Sequence, residues 1–456
     1  MKNLTLENIA AVTGGRYSGP DEKKAVEVTA ITTDSRNVEP GGLFVAIKGE
    51  RVDGHRFIPQ VMAQGAAAAI SEVDLGEQDY PYIVVESSLQ AVKDIAEFYL
   101  KQLSIPVVGI TGSVGKTSTK EMTYSVLSQK YRVLKTAGNF NNELGLPLTV
   151  FRLRDTHEMA VLEMGISHFG EMRRLAKVAR PDTMIMTNIG DAHVENLGSR
   201  DGVLKAKTEF AEFLKPDGHV ILNGDDEHLA TVHELNGVRP IWYGLDKKND
   251  YWASNLVSLG LKGTRCDLHT PLGNIAGVTV GMPGRHMVYN ALAAAAAGVV
   301  YGLTLEQIKA GIESNETLAG RFNIIDTPRY TIIDDCYNAS PVSMKASLDV
   351  LQDGTGRRVA LLGDMAELGP DEKQLHASVG EHAARLNIDA VYTAGPLCKC
   401  LAQAARQGNP ALDVQAFDTL EALQAALPSL LHDGDTILVK ASHCMHFENI
   451  VAQLQK

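Results

Sequence analysis

Continuous apolar runs separated by amphipathic segments dominate the chain from residue 104 onward. The runs IPVVGIT, MAVLEMG, TMIMTNIG and HVILNGD are apolar along most of their length instead of alternating with polar residues. Such runs are typical of strands in a parallel sheet that is covered on both faces. Helix-like segments lie between them, which is the order of βαβ units. The pattern predicts an α/β protein with a parallel sheet in the middle of the chain.

The flanking regions predict two further structural units. Residues 1–103 contain the short strand-like runs LFVAIKG, AAAAIS and YIVVES. After a β-like stretch at 251–282, the strand–helix alternation restarts with YTIIDDC, RRVALLGD, DAVYTAG and DTILVKAS. A chain of 456 residues is also too long for one core at ~150 residues per domain. We therefore predict three domains: a small α/β domain at 1–103, a central domain at 104–316 and a Rossmann-like domain at 317–456.

Charge and cysteine content narrow the class of protein. The chain carries 43 Lys and Arg against 55 Asp and Glu, a net charge of −12. A field of this sign repels polyanions, so we expect no nucleic-acid partner. The N-terminal segment lacks a signal-peptide pattern, no apolar run is long enough to span a bilayer, and the five cysteines are scattered. We expect a cytoplasmic monomer without membrane insertion.

The stretch GITGSVGKTSTKEM, residues 109–122, predicts a phosphate-binding loop. The standard pattern G-x-x-x-x-G-K-[ST] would place its first glycine at Ile110, so the match is incomplete. The stretch nevertheless joins a predicted strand to a predicted helix, where backbone N–H groups can wrap a phosphate. A glycine-rich turn with an incidental lysine is the weaker alternative. The predicted nucleotide-binding residues of the loop are Gly112, Ser113, Val114, Gly115, Lys116, Thr117 and Ser118.

Polar residues follow the next predicted strands. Glu163 ends AVLEMG, and His193 lies in the loop TNIGDAHVENLGS after another strand. Open α/β sheets bind ligands at the carboxyl ends of their strands, and a phosphate-bound Mg²⁺ needs a carboxylate there. Glu163 is therefore a candidate metal ligand, although a solvated glutamate would give the same pattern.

Two asparagines are further candidates for nucleotide contacts. Asn139 lies in the polar loop TAGNFNNELGLPLT, and Asn290 is a single polar group at the start of an apolar helix. A buried asparagine needs hydrogen-bond partners, which an adenine edge or the protein itself can supply. For Asn290 the sequence leaves both readings open. Lys205 and Lys207 read as two solvated lysines by themselves.

The C-terminal unit has polar strand ends of its own. They are Asp334, Asp335 and Asn338 in IIDDCYNASP, Asp364 and Glu367 in LLGDMAELG, and Lys440 and His443 in LVKASHCMHFE. Polar clusters at the strand ends of two sheets predict a cleft between domains that is lined from both sides. The residues together indicate an Mg²⁺-ATP enzyme and leave its acceptor open.

These stretches resemble the Mur ligase family of ATP-dependent amide-bond-forming enzymes. The resemblance spans essentially the whole chain, and the family's loop has the form TGxxGKT without the first Walker glycine, which accounts for Ile110. It implies a UDP-sugar-binding domain, a central ATPase domain and a Rossmann-like domain. The stretches TDSRNVEPGGLFVAIKGERVDGHRFI, LAGRFN and DDCYNASPVSM resemble the members that add D-alanyl-D-alanine to UDP-MurNAc-tripeptide.

The resemblance also implies cofactors and a mechanism. ATP would phosphorylate the tripeptide carboxylate, and the dipeptide amine would attack the acyl phosphate. Two Mg²⁺ ions and a carbamylated lysine at Lys207 would assist. The sequence leaves open whether the third residue of the tripeptide is meso-diaminopimelate or lysine. The alternatives are a folylpolyglutamate synthase-like ligase, which shares the ATPase core, and a P-loop ATP-binding protein without ligase chemistry.

Roles carry over from the family residue by residue. Lys116, His193 and Lys207 would be catalytic, with Lys116 on the β- and γ-phosphates. Thr117 and Glu163 would hold one Mg²⁺, and His193 and Lys207 the second. The nucleotide contacts would be Asn139, Asn290, Arg321 and Asp335, the last three with adenine, phosphate and ribose.

The substrate-binding residues would be Ser35, Arg36, Asp53, Gly54, His55 and Asn338. Two departures from the family pattern, Ser340 in YNASP and the pair Ala441 and His443 in KASH, affect the expected acceptor site.

Overall fold

The structure, a computed structural model, describes residues 1–456 and begins with a five-stranded sheet of order β1-β5-β4-β3-β2. Its strands are β1 (Arg16–Ser18), β2 (Ile31–Thr32), β3 (Leu43–Val45), β4 (Ala68–Ser71) and β5 (Tyr82–Val84), and its helices are α1 (Leu6–Thr13), α2 (Ile58–Ala63) and α3 (Ser88–Leu103). β1 pairs antiparallel with β5, and the other pairs are parallel. The side chains of Thr5 and Ser87 cap α1 and α3, which fixes where these helices begin.

The second sheet has six strands, all parallel, in the order β11-β10-β9-β6-β8-β7. The strands are β6 (Val107–Thr111), β7 (Val133–Lys135), β8 (Met159–Glu163), β9 (Thr183–Met186), β10 (His219–Asn223) and β11 (Ile241–Tyr243). The helices are α4 (Lys116–Leu127), α5 (Gly145–Val150), α6 (Glu171–Ala179), α7 (Val194–Leu197) and α8 (Arg200–Lys207). Because the strand order reverses around β6, the loops after β6, β8 and β9 meet at one edge. This sheet confirms the parallel α/β fold that the apolar runs predict.

A small antiparallel sheet and two helices complete the middle of the chain. They are β12 (Trp252–Ser258), β13 (Thr264–Thr270), β14 (Gly273–Val280), α9 (His286–Val300) and α10 (Leu305–Glu313). The alanines from Ala293 to Ala297 of α9 are fully buried, and α9 packs against α4. Small side chains let the two helix backbones approach closely, so α9 supports the helix that follows the phosphate loop.

The C-terminal sheet has the order β15-β16-β20-β17-β18-β19. Its strands are β15 (Asn323–Asp326), β16 (Thr331–Asp334), β17 (Arg358–Gly363), β18 (Ala390–Ala394), β19 (Asp413–Phe417) and β20 (Thr436–Lys440). Its helices are α11 (Pro341–Leu351), α12 (Glu372–Ala383), α13 (Cys398–Gly408), α14 (Leu420–Leu430) and α15 (Glu448–Leu454). β15 runs antiparallel to β16, and the remaining pairs are parallel.

Two hydrophobic cores meet on the central sheet. Val108 and Ile110 of β6 belong to a core shared with α9 and the C-terminal unit, and Val107 belongs to a core shared with the N-terminal unit. This alternation follows from the two-residue period of a strand, and it fixes β6 from both faces. No helix combines the length and apolarity that crossing a membrane requires. The boundaries at 103/104 and 316/317 stay predictions; α3 ends at Leu103 and β15 begins at Asn323.

Candidate active site

A cleft of about 1130 Å³ lies between the carboxyl edge of the central sheet and the C-terminal unit. It is lined from both sides, as the polar strand ends of the two sheets predict. The predicted site residues that line it are Ser113, Val114, Gly115, Lys116, Thr117, Ser118, Glu163, His193, Asn290, Arg321, Asp335 and Asn338.

Three predicted residues lie near the cleft without lining it. Gly112 forms the base of the phosphate loop, and Lys207 is buried at the end of α8, with an exposed fraction of 2%. Asn139 is exposed, whereas Asn141 of the same loop lines the cleft. Within this loop the structure places Asn141, rather than Asn139, next to the other polar groups.

The five residues predicted to bind the UDP-muramoyl group lie in two loops of the N-terminal unit, outside the lining of the cleft. The Arg36 guanidinium bonds both carboxylate oxygens of Asp34, at 2.9 and 2.7 Å. The imidazole of His55 lies between Asp53, 2.6 Å from Nδ1, and the Glu72 N–H, which donates to Nε2 at 2.9 Å. These loops follow β2 and β3; none of Ser35, Arg36, Asp53, Gly54 and His55 lines the cleft.

The phosphate loop begins after Thr111, the last residue of β6, and Ile110 before it is fully buried in the strand. Gly112 has a φ of 145°, and a Cβ there would collide with the Thr187 hydroxyl. Gly115, with a φ of 82°, precedes α4, which has no side-chain cap. The first N–H groups of α4 therefore lack partners and lie at the positive end of the helix dipole. The loop is built to bind an anion.

Lys116 and Asn188 hold the shape of this loop. The Lys116 ammonium donates to the carbonyl oxygens of Gly112, at 2.8 Å, and Ser113, at 3.4 Å. The Asn188 side chain accepts from the Val114 N–H at 2.9 Å and donates to the Val114 carbonyl at 3.0 Å. Desolvation lowers the pKa of Lys116, Glu163 opposes the shift, and Arg321 adds to it.

Thr117 and Glu163, the two predicted ligands of the first Mg²⁺, lie together at the mouth of the loop. The Thr117 hydroxyl lies 3.3 Å from Glu163 Oε1, which also accepts from Asn141 Nδ2 at 2.8 Å. Adjacent oxygen ligands of an octahedral Mg²⁺ lie about 3 Å apart, since each bond is about 2.1 Å. One hydroxyl and one buried carboxylate with this spacing fit a magnesium ion.

Lys207 is a buried lysine without a compensating carboxylate. Burial lowers the pKa of Lys207 well below its usual range, and the nearby Lys116 charge adds to the shift. No acidic side chain offsets these two causes. Both causes shift the equilibrium toward the neutral amine, which is the nucleophilic form of lysine.

His193 connects the central sheet with the C-terminal unit. It adopts a left-handed backbone conformation, with a φ of 63°, immediately before α7. Its Nδ1 lies 2.7 Å from Glu367 Oε2 of the C-terminal unit. Burial lowers the pKa of His193, the Glu367 carboxylate opposes this shift, and Lys116 and Lys207 add to it. A largely neutral imidazole is the form that binds a metal.

The C-terminal side of the cleft is a network of satisfied polar groups. Asp335 accepts from Lys440 Nζ at 2.6 Å, Ser347 Oγ at 2.8 Å and the Phe322 N–H at 3.3 Å. Lys440 also donates to the Asn338 carbonyl at 3.0 Å.

Arg321 reaches the cleft over a stack of rings. Its guanidinium lies 4.0 Å from the centre of the Tyr337 ring, which stacks on the His443 ring with a centroid distance of 5.4 Å. The charge of Arg321 is near enough to Lys116 to contribute to the lowering of the Lys116 pKa. Arg321 therefore adds positive charge to the cleft that the phosphate loop lines.

Asp364, His376 and Cys398 form a buried cluster whose donor atoms lie within 4.8 Å of one another. The Met365 N–H donates to His376 Nε2 at 2.9 Å, and His376 Nδ1 lies 2.7 Å from the Glu372 carbonyl. Asp364 accepts from the Cys398 N–H at 2.7 Å, and burial raises the pKa of the Cys398 thiol well above its usual range. The atoms that a metal would need are engaged or protonated, so the cluster holds the loop after β17 in place.

Sequence reasoning missed three residues that shape the site: Asn188, Lys120 and the ligand-positioning role of Asn141. Asn188 follows β9 in the same loop as His193, so its strand-end position was a usable signal. Lys120 is fully buried on α4, although the polar segment KTSTKEM gave no sign of burial. Burial of a lysine depends on partners that are remote in sequence.

Models of three Mur ligase regions match the chain in succession. The Mur ligase family catalytic domain matches residues 27–111, the Mur ligase middle domain residues 110–298, and the glutamate ligase domain of Mur ligases residues 320–443. Together they cover residues 27–298 and 320–443, which contain every strand of the four sheets except β1.

Curated relatives and solved structures match over the full length. The UDP-N-acetylmuramoyl-tripeptide–D-alanyl-D-alanine ligase of Bacillus subtilis is 38% identical over 100% of this chain and 99% of its own length. MurF of Acinetobacter baumannii has a TM-score of 0.89 at 33% identity, covering 99% of this chain and 98% of its own. MurF of Thermotoga maritima in complex with ADP has a TM-score of 0.82 at 30% identity, covering 93% and 97%.

Folylpolyglutamate synthase is a more distant neighbour. The Mycobacterium tuberculosis enzyme complexed with ADP and AMPPCP has a TM-score of 0.63 at 16% identity and covers 80% of this chain and 94% of its own. Such a likeness concerns the fold alone. The full-length relatives and the successive domain matches establish that this chain belongs to the Mur ligase family.

Proposed function

We infer that this chain is an ATP-dependent ligase that joins D-alanyl-D-alanine to UDP-MurNAc-tripeptide. The product is the UDP-MurNAc-pentapeptide precursor of peptidoglycan. One observation carries the inference: an uncapped helix after the phosphate loop, with Lys116 and Glu163 beside it, faces a second sheet across a cleft. The full-length similarity to ligases of this substrate specificity supports the choice of acceptor.

The reaction divides into two transfers. A carboxylate oxygen of the tripeptide attacks the γ-phosphorus of ATP, forming an acyl phosphate while the bond to ADP breaks. The dipeptide amine then attacks the acyl carbon, loses a proton, and displaces inorganic phosphate as the amide forms. The α4 N-terminus, Lys116 and Arg321 stabilise the charge on the transferred phosphoryl group electrostatically, and they take no covalent part in the reaction.

Magnesium ions would neutralise charge on the β- and γ-phosphate oxygens during the first transfer. Thr117 and Glu163 would hold one ion, since their oxygens have the spacing that Mg²⁺ accepts. His193 and Lys207 would hold a second, provided that Lys207 carries a negative group.

We propose that a carbamate at Lys207 supplies that group. The neutral amine attacks CO₂, releases one proton and becomes an anionic ligand. The lowered pKa of Lys207 supports this step because it favours the nucleophilic amine, and without the carbamate no anionic group near Lys207 would be available to a metal. We expect Lys207→Ala to abolish turnover and added acetate to restore part of it. Full activity of the variant without acetate would contradict the carbamate.

The N-terminal and central domains would bind different substrates. The two N-terminal loops that carry Ser35 and Arg36 and Asp53, Gly54 and His55 would bind the UDP-muramoyl end, and the central domain would bind ATP. Asn290 and Asp335 would contact adenine and ribose; Asp335 already bonds Lys440, so ribose would share that carboxylate. Asn139, which is exposed, would be a further nucleotide contact.

We place the reaction in the cytoplasm, in keeping with five unpaired cysteines, and propose a monomer.

Omission of single substrates tests the proposed function. ADP release should require ATP, UDP-MurNAc-tripeptide and D-alanyl-D-alanine together, and tripeptides with meso-diaminopimelate and with lysine should be compared. Equal turnover with a single amino acid in place of the dipeptide would overturn the assignment. Turnover with a folate would favour a folylpolyglutamate synthase-like ligase, and hydrolysis that is indifferent to any amine would favour an ATP-binding protein without ligase chemistry.

A further inference from the structure

Lys120 lies one helical turn after Lys116 on α4 and therefore on the same helix face. Its side chain is completely buried. A buried lysine is costly unless its charge has partners, and it has no contact with solvent to supply them. The partners that surround Lys120 therefore indicate why it is there.

Two carboxylates surround the Lys120 ammonium. Nζ lies 3.0 Å from Glu121 Oε1 and 3.7 Å from Glu163 Oε2. Neither contact has hydrogen-bond geometry, and Nζ and Glu163 Oε2 have no other polar partner. Lys120 and Glu163 therefore form an ion pair between two buried side chains, where charges interact more strongly than at the surface.

The two oxygens of Glu163 have different surroundings. Oε1 is contacted by the Thr117 hydroxyl and by Asn141 Nδ2, at the mouth of the phosphate loop. Oε2 points inward, and Lys120 supplies the cation beside it. The carboxylate is thus oriented with one oxygen toward the cleft and the other toward a fixed positive charge.

Lys120 is itself anchored from the far side. The second oxygen of Glu121 pairs with Lys135, and Lys135 Nζ lies 4.1 Å from the centre of the Tyr124 ring. Charges of alternating sign therefore run from Lys135, which is partly exposed, through Glu121 and Lys120 to Glu163. This arrangement leaves Lys120 little freedom to move away from Oε2.

We propose that Lys120 is a positioning residue that restricts Glu163 to binding a metal through Oε1 alone and thereby favours Mg²⁺ over Ca²⁺. Mg²⁺ requires short bonds in near-octahedral geometry, whereas Ca²⁺ accepts longer bonds and both oxygens of one carboxylate. A cation held beside Oε2 opposes the second mode. The proposal rests on the proposed function, which makes Glu163 a ligand of the ATP-bound metal.

The test compares Mg²⁺ and Ca²⁺ binding to the full-length ADP complex by calorimetry. Lys120→Met/Glu121→Gln removes one charge of each sign, because Lys120→Met alone would leave an excess of negative charge between Glu121 and Glu163. Glu121→Gln is the matched control, since it retains Lys120. We expect the double variant to lower the ratio of Mg²⁺ to Ca²⁺ affinity about 10-fold, the lower end of effects for residues that orient metal ligands.

The control should keep the wild-type ratio within about twofold, a margin well below the tenfold effect expected for a lost positioning residue. An unchanged ratio in the double variant, or an equal fall in the control, would overturn the role of Lys120. Glu163→Gln separates this failure from that of the proposed function. If Glu163→Gln leaves Mg²⁺ binding intact, the metal site itself is wrongly assigned; if it abolishes binding, only the positioning claim is at stake. Thermal unfolding of every variant confirms that each one is folded.

Discussion

The two sheets that face the cleft both end in buried charged groups. Only on the central side do some of the polar groups lack a partner within the protein. Lys207 has no carboxylate beside it, and the α4 N-terminus has no cap. In the C-terminal unit, Asp335 pairs with Lys440, and Asp364 and His376 bond backbone groups of their own unit. Buried polar groups are normally satisfied, so groups without partners indicate an absent ligand.

This difference separates groups that the fold itself satisfies from groups that it leaves without a partner, which residue type alone does not. The C-terminal network keeps its strand ends in shape with or without substrate. The central groups are held in place by neighbours such as Lys120 and Asn188, and they leave room for phosphate and metal. Substitutions on the two sides of the cleft should therefore fail in different ways.

The largest expected effect is on the central side, at Lys116. Lys116→Ala should lower the rate of ADP formation by about 10³-fold, because a positioned cation on the transferred phosphoryl group is lost. Its unfolding free energy in urea should change by only about 1 kcal/mol, because the loss of two hydrogen bonds to loop carbonyls is offset by the removal of a desolvated cation. Lys373→Ala, at an exposed lysine of α12, is the control and should keep wild-type activity. Substantial turnover by Lys116→Ala would contradict the assignment of the central side of the cleft to phosphate binding.

The opposite outcome is expected on the C-terminal side, at Lys440. Lys440→Met should lower the unfolding free energy by roughly 3–5 kcal/mol, because it leaves the Asp335 carboxylate buried without its partner. Urea unfolding followed by circular dichroism measures this change, and Lys373→Met serves as the exposed control. A loss below about 1 kcal/mol, the range of ordinary surface substitutions, would show that the network is not structural.

His286 offers a further test of this contrast, because it lies between the central and the C-terminal sides of the cleft. It begins α9, its ring is 4.9 Å from that of Phe322, and burial lowers the pKa of His286 to about 4. The folded state binds the proton less tightly than the unfolded chain, so stability is complete above pH 6.5 and falls as the pH drops toward 4. The loss is at most about 3 kcal/mol.

Urea unfolding between pH 4 and 7 should therefore show a shallower pH dependence for His286→Phe than for the wild-type chain. Subtracting the two curves removes the contribution of the carboxylates that both chains share. Parallel curves would mean that His286 titrates alike in both states.

The smallest effect is expected at the Asp364–His376–Cys398 cluster. Zinc or a chelator should change the unfolding temperature no more in the wild-type chain than in Cys398→Ala, because every donor of the cluster is engaged or protonated. Differential scanning calorimetry measures this shift. A stabilisation by zinc that disappears in Cys398→Ala would make the cluster a metal site and would weaken the contrast between the two sides.

The sequence predicts the fold well where periodicity and strand ends determine it. The apolar runs predict both large sheets, and the strand-end positions of Glu163, His193 and Asp335 predict that they meet at a cleft. Partner choice is less predictable because it depends on residues that are remote in sequence. Lys120 beside Glu163 and Glu367 beside His193 are such pairs. For the same reason, the sequence alone does not show that Asn141 lines the cleft while Asn139 is exposed.

Anomalous diffraction from a crystal grown with Mn²⁺ and ADP tests the contrast between the two sides most directly. Mn²⁺ accepts the same hard oxygen ligands as Mg²⁺ and scatters anomalously. We predict a peak about 2.2 Å from both Thr117 Oγ1 and Glu163 Oε1, with no peak at Asp364, His376 and Cys398. A peak at the C-terminal cluster, or none beside Glu163, would contradict the assignment of the unbalanced central groups to nucleotide and metal.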